Sequence, residues 1–385
     1  MCQIIIYVVL IALLGGCREK YYHDYIMPES GFLIVNGFIN ARGDSSVIRL
    51  SRSNKLSESP AEMMEQGASV FIESSDNEKF SLLETSPGVY TSLSFPISTS
   101  SKYRVHITAK GKEYVSEYTA ARTTPNIDSI SWEQEKDGVH FYVHAHDDTN
   151  SSRYFQWKFE ETWETNAPFV TTLQYDRAPD NTLTGVKYRY PDGRADTTIQ
   201  RCWTTDNSKT LMIGSTEKLS QSVIFQPFYF VGAGSVKMAV EYSILLKQYS
   251  LSEPAYNFMV MMKKNSEQLG SVFDPQPSQL AGNMSCITDP EEMVIGFIEV
   301  AEEKAKRIFI KRNDLDIWNY RNGCEITIIA NHPDSIVKYG SNLMPSTVSQ
   351  QNEITGAITA FTATTPSCID CRLSGASNAK PLFWP

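Results

Sequence analysis

Three histidines, His140, His144 and His146, stand at even spacing in a stretch whose alternate positions are Val139, Phe141, Val143 and Ala145. Side chains alternate across a strand, so the three imidazoles are predicted to share one face. His144 and His146 would lie about 6–7 Å apart along it, a separation from which two imidazoles can share a metal ion. Asp147 and Asp148 follow directly. Period-two polarity is also ordinary for a half-buried strand with one face in water, so a solvent-facing sandwich edge is the competing reading.

Sulfur chemistry is the second candidate. Cys202, Cys286, Cys324, Cys368 and Cys371 all lie in the body of the chain. The Cys368-Ile369-Asp370-Cys371 spacing suits a redox pair or half a zinc site. A zinc site needs two more convergent ligands and no second such pair exists, while a redox pair needs a thioredoxin-like setting that is absent. Structural disulfides fit better, with Cys324 a candidate partner for one of the two. Five is an odd number, and two disulfides with one thiol left over is the simplest arrangement. The pairing itself is not legible in sequence.

Hydrolytic chemistry finds no footing. There is no nucleophile elbow, no H-E-x-x-H helix and no serine–lysine dyad motif. Glu160, Glu161 and Glu164 are close in sequence, but the first two fall on opposite faces of a strand, and glycoside hydrolysis requires a defined carboxylate separation. Trp157, Trp163 and Trp203 could line an aromatic ligand cleft or fill cores. No catalytic residue is assigned, and the chain is expected not to be an enzyme.

The N-terminus gives an address. Ile4 to Leu14 is an apolar run too short to cross a bilayer as a helix, and Leu14-Gly15-Gly16-Cys17 follows it. That is a lipobox: Cys17 is expected to take a diacylglycerol, after which residues 1–16 are cut away. This covalent acyl lipid is the only cofactor expected. Residues 17–30 would be a tether to the outer membrane, on the cell surface or on the periplasmic leaflet. The n-region Met1-Cys2-Gln3 lacks the usual basic residue. A net charge of −9 and a pI of 5.3 argue against nucleic acid, which needs a basic stripe.

The elements that must hold these residues are mostly strands. Residues 31–123 carry short alternating runs broken by turn residues, the pattern of an immunoglobulin-like or transthyretin-like sandwich. Residues 124–385 read as a second, fibronectin-like β-rich domain, with Met293–Val300 and Arg307–Lys311 closing its sheet. Into it is inserted one amphipathic helix at about 253–269, capped by Ser252, with Phe258, Met259 and Met262 on its packing face. Asn331–Pro366 is expected to be loops rather than a third core. The tail ending Phe383-Trp384-Pro385 is expected to dock on the body. The Phe273-Asp274-Pro275-Gln276-Pro277 stretch has no strand pattern and is the candidate partner-binding loop, taken to extend to Asn283.

FDPQPSQLAGN, RCWTTDNSKTLMIGSTEKLS and the terminal CIDCRLSG…NAKPLFWP, with GASVFI, PGVYTS, GKEYVS and NIDSISW before them, carry a resemblance. Together they resemble the family catalogued as domain of unknown function 4249, found in Bacteroidota lipoproteins, across nearly the whole mature chain. The resemblance implies an outer-membrane lipoprotein encoded beside a TonB-dependent receptor. The expected function is that of an accessory subunit which captures a small-molecule, peptide or glycan ligand, or covers the barrel mouth, by non-covalent binding. A free-standing adhesin or glycan-binding lipoprotein is the first alternative, and a hydrolase or metal-binding protein the second. The family carries no established catalytic residues to transfer.

Overall fold

Leu33, Val35 and Ile39 point inward from β1 (Leu33–Asn40), and the same alternation builds most of the first sheet. The computed structural model describes residues 31–42, 44–53, 63–98, 100–267, 282–339 and 342–385. After β1 come β2 (Val47–Arg52), β3 (Met63–Met64), β4 (Ser69–Ser74), β5 (Lys79–Ser86), β6 (Val89–Ser92), β7 (Lys102–Ala109), β8 (Lys112–Ser116) and β9 (Thr119–Ala120). Their spatial order is β8-β7-β4-β5-β6-β2-β1, antiparallel throughout, with β3 on β2 and β9 on β7. One apolar cluster collects Leu33 and Leu50 from one end of this path and Tyr114 from the other. The sheet therefore bends back on itself around a single core.

The second unit uses β10 (Ile127–Gln134), β11 (Gly138–Asp147), β12 (Tyr154–Asn166), β13 (Leu173–Arg177), β14 (Leu183–Tyr188), β15 (Arg201–Asn207), β16 (Met212–Ser215), β17 (Ser222–Gly232) and β18 (Glu241–Leu251). One sheet runs β10-β11-β17, and a second pairs β12 with β15, β16 and β18. Val139, Phe141 and Val143 of the first sheet meet Phe155, Trp157, Phe159, Tyr242 and Ile244 of the second in one buried cluster. Helix α1 (Glu253–Glu267) follows β18 without a loop. Ser252 caps it: its Oγ accepts from Ala255 N–H at 3.2 Å and donates to Glu299 Oε2 at 2.6 Å.

The chain then departs from the two-domain expectation. β19 (Met284–Cys286), β20 (Val294–Gly296) and β21 (Glu299–Ala301) return to the first sheet, β19 against β8 and the other two parallel to β1. Residues 31–123 thus do not complete the first unit, and Met293–Val300 closes its sheet rather than the second. Strands of three residues carry almost no alternation, so their partner is not legible in sequence. Gly282 makes the return tight, since a Cβ there would sit 1.8 Å from the carbonyl oxygen of Gly296. Asn283 is buried and braced through its amide on Ile298, which removes it from the expected partner loop.

β22 (Lys304–Lys311) crosses back to pair with β18. Then β23 (Thr327–Ala330), α2 (Pro333–Tyr339), β24 (Met344–Gln351) and β25 (Ile358–Thr364) form a further layer with the β13–β14 hairpin. Leu173, Val186, Ile329, Ile336, Phe361 and Ala363 make a third core there, where loops were expected. The register of β24 against β25 shifts repeatedly, which erases period two, and part of the core comes from a distant hairpin. Two disulfides, Cys202–Cys371 and Cys324–Cys368, tie this end to the body, and Cys286 is a buried thiol. Trp384 is buried beside Trp203 and Phe309.

Candidate functional site

The outward faces of two sheets oppose each other where the units meet. Alternation along β12 sends Phe155, Trp157 and Phe159 into the core and leaves Gln156, Lys158 and Glu160 facing out. Facing them are Ile34, Asn36 and Phe38 on the outer side of β1, and the two sheets touch where Phe38 meets Tyr249 edge-to-face at 4.4 Å. Beside this contact the gap opens into a cleft of two lobes, of 470 Å³ and 1030 Å³, which share Asn36, Gly37, Lys158, Ser208 and Lys209. The smaller lobe is walled by Ile34, Ile295, Phe297 and the α1 side chains Phe258, Met259 and Met262. Phe258 is buried against Phe297, but Met262 is 37% exposed, so the helix face expected to be all core also lines a cavity.

Lys158 stands at the junction of the lobes. Among the described residues no hydrogen-bond acceptor is within reach of its ammonium; its contacts are the rings of Phe38 and Tyr249, each 5.8 Å away. Lys247 sits directly opposite it on β18, and Arg49 lines the larger lobe from β2. Burial, then the neighbouring Arg49 charge, pull the Lys158 ammonium below the usual lysine range, with Glu303 opposing and Lys247 adding to the effect. Glu303 is already held by Lys247 at 3.4 Å and by the Tyr249 hydroxyl at 2.6 Å. Burial, then Glu303, push the Tyr249 hydroxyl well above its ordinary range. The other acids lining the cleft are Glu160, paired with Arg307 at 2.9 Å, Asp206, paired with Lys209 at 3.3 Å, and exposed Asp44.

The histidines share a strand face but not a centre. His140 Nε2 pairs with Asp137 at 3.1 Å, His144 Nε2 with the Ser131 hydroxyl at 2.7 Å, and His146 Nδ1 with Asp128 at 2.7 Å. Each imidazole finds its own polar neighbour, two of them on β10, and His140 and His144 also lie against Phe230 and Phe225. The Asp128 carboxylate raises the His146 pKa. The grouping of three metal-ligating side chains found among the described residues is Glu135, Asp137 and His140, so the expected trio is not assembled.

The C-x-x-C motif is split between two bridges, so Cys368 and Cys371 form no dithiol pair. Of the three tryptophans expected at a cleft or in a core, Trp157 borders the smaller lobe from within the core. Trp157 is buried and donates to Gln248 Oε1 at 2.8 Å, Trp163 lies under Lys237, and Trp203 packs on the tail. Glu161 is buried and accepts from Tyr229, Tyr242 and Lys237, while Glu164 pairs with Arg201. Each carboxylate of the triplet is taken by its own partner. Cys17, and Phe273, Asp274, Pro275, Gln276 and Pro277, lie outside the described residues.

Both walls of the cleft fall within residues 20–307, and that span matches the family described as Domain of unknown function (DUF4249). The chain belongs to the DUF4249 family. No curated protein matches this DUF4249 sequence. Among solved structures, it is similar to a chain titled as manganese lipoxygenase of Gaeumannomyces graminis with partial zonadhesin of Komagataella pastoris, at 9% identity and a TM-score of 0.18, covering 58% of this chain and 90% of that one. A chitinase from Bacillus thuringiensis overlaps at 16% identity and a TM-score of 0.14, covering 50% of this chain and 28% of its own. A Yersinia pseudotuberculosis adhesin overlaps at 14% identity and a TM-score of 0.14, covering 57% of this chain and 55% of its own. Scores this low carry no statement about architecture or activity.

Sequence reasoning missed this cleft for a simple reason. A lysine at an outward position of an alternating strand is ordinary, and only the cross-strand register reveals that it faces a second lysine. The helix carried the one available signal, a Met259/Met262 pair beside Lys263 at its polar border.

Proposed function

We propose that this chain is a lipid-anchored accessory subunit of a TonB-dependent outer-membrane transporter, and that it captures a ligand for the barrel by non-covalent binding. The observation that carries the capture reading is the two-lobed cleft, whose walls come from both units and whose size suits a small molecule. The anchor rests on Leu14-Gly15-Gly16-Cys17 ahead of a body that begins at β1. The receptor is what the family resemblance implies. Binding by shape and differential contact needs no energy source in this chain; the receptor and its inner-membrane motor would supply it. Pull-down of the tagged chain from detergent-solubilised membranes tests the reading. A large β-barrel should co-purify, and a chain that emerges alone rejects the partnership.

A free-standing glycan-binding lipoprotein is the second reading. It is favoured by the outer face of the β10-β11-β17 sheet, where Tyr142 and Phe225 stack at 5.4 Å and Phe225 is 64% exposed. Such a face can stack a sugar ring. Substituting Phe225→Ser would abolish glycan retention on that reading and leave co-purification with a barrel unchanged on the first.

A further inference from the structure

Three cations from three strands, Arg49, Lys158 and Lys247, border one lobe of the cleft, and Glu303 is shared between Lys247 and Tyr249. Like charges set directly opposite on neighbouring strands are destabilising, and Lys158 faces Lys247 in this way. The lysine is held there without an acceptor among the described residues, and it borders both lobes of the cavity. An ammonium with unsatisfied donors at the rim of an apolar lobe is matched by a ligand that brings both an anion and an apolar body.

We propose that the cleft binds a small organic carboxylate, with its head on Lys158 and its apolar body along Ile34, Met259, Met262, Ile295 and Phe297. The proposal rests on reading the cleft as a capture site and not on the identity of the receptor. Lys158 borders both lobes, so a single ligand can reach the ammonium and the methionines at once. A carboxylate gives the ammonium a charge-assisted bond at the point where Lys158 faces Lys247. A phosphate dianion suits the site less well, because most of its acceptor oxygens would lie against apolar side chains. Burial and the neighbouring Arg49 charge lower the lysine pKa against the opposing pull of Glu303, and a bound carboxylate would raise it again. Methionine side chains adapt to varied apolar shapes, so the class is wider than one compound.

The test is isothermal titration of the purified full chain, kept free of detergent, with octanoate, octanol, octylammonium, acetate and inorganic phosphate. Octanoate should bind with one-to-one stoichiometry, and the other four probes at least about tenfold more weakly. Lys158→Gln should weaken octanoate about thirtyfold or more, and Lys158→Arg, which keeps the charge, should recover most of the loss. Met262→Glu should weaken octanoate while leaving acetate unchanged. Circular dichroism of each variant checks that the fold persists, and Arg49→Gln, on the exposed opposite wall, gives a second charge test should Lys158→Gln not fold. Octanol binding as tightly as octanoate, or octanoate binding unaffected by both charge variants, overturns the proposal. Acetate or phosphate matching octanoate overturns the apolar half. Because the titration uses the chain alone, its failure leaves receptor co-purification standing, and a lone chain in the pull-down leaves the carboxylate site standing.

Discussion

Arg52 and Glu292 are 240 residues apart in sequence and meet at 3.5 Å inside the first unit, each almost fully buried. Arg52 also holds Glu65 at 2.5 Å, while Glu292 accepts from the Tyr114 hydroxyl at 2.8 Å and pairs with Lys112. The network stitches the segment that follows α1 onto the N-terminal sheet. Burial works against the Arg52 charge, but its bonds to Glu65 and Tyr114 outweigh it and raise the guanidinium pKa. Burial, then Glu292, push the Tyr114 hydroxyl up to about 12.

Removing Glu292 should therefore loosen two parts of the chain together. Glu292→Ala leaves the Tyr114 hydroxyl without its acceptor and Lys112 with Asp289 alone, and is expected to cost about 3 kcal/mol. Hydrogen exchange should show lost protection in β19, β20 and β21 and in β8, with β11 and β12 unchanged. Protection lost evenly over both units would mean that the network does not act locally.

Acid should weaken the first unit through Glu73. Burial opposes its charge, but Lys79, His106 and Arg104 at 2.8, 2.9 and 2.7 Å bring the carboxyl down to about 2 from an ordinary 4.5. A depressed carboxyl stabilises the fold fully above about pH 4.5, and that contribution drains away as pH falls toward 2. Glu73→Gln should melt below the parent at pH 7 by about 1–3 kcal/mol, with the two curves converging near pH 2. A gap that stays constant across that range would rule out the carboxylate as its source.

Loss of the Cys202–Cys371 bridge should free the tail. The bridge fastens the turn before the final residues to β15, and Ser377 exchanges backbone hydrogen bonds with Trp203 nearby. The double substitution Cys202→Ala, Cys371→Ala is expected to cost about 2–4 kcal/mol and to expose Trp384. Red-shifted tryptophan emission reads the exposure. Cys286→Ala, at the buried thiol, should leave both bridges and the emission as they are.

What was legible in the sequence follows the reach of local signals. The Val139-to-Ala145 alternation and the Ser252 cap are written within a few residues and reappear in β11 and α1. The pairing of β20 and β21 with β1 is not local: three-residue strands have no period, and the contacts that hold them, such as Glu292 with Arg52, span the chain. The third core escaped for the same reason, since Leu173 and Phe361 come from different stretches and β24 is rich in Ser, Thr and Gln. At the cleft, every residue type is unremarkable in its own strand. What distinguishes Lys158 is its register with Lys247 and the sheet that faces it.

The cleft lysine should trade stability against binding. Lys158 is held below the usual lysine range by burial and by neighbouring positive charge, so keeping it protonated costs the folded state free energy. Lys158→Met removes the charge but keeps an unbranched chain against Phe38 and Tyr249, and is expected to raise stability by about 1–2 kcal/mol while losing octanoate. The pH dependence has a definite sign. The cost is full below the folded-state pKa and disappears above the ordinary 10.5, where the lysine is neutral in both states. Melting curves of parent and variant should therefore differ most near neutrality and approach each other as pH rises toward 10. A variant that melts below the parent at pH 7 would mean that Lys158 already has a stabilising partner, and the empty-acceptor reading of the cleft would fail with it.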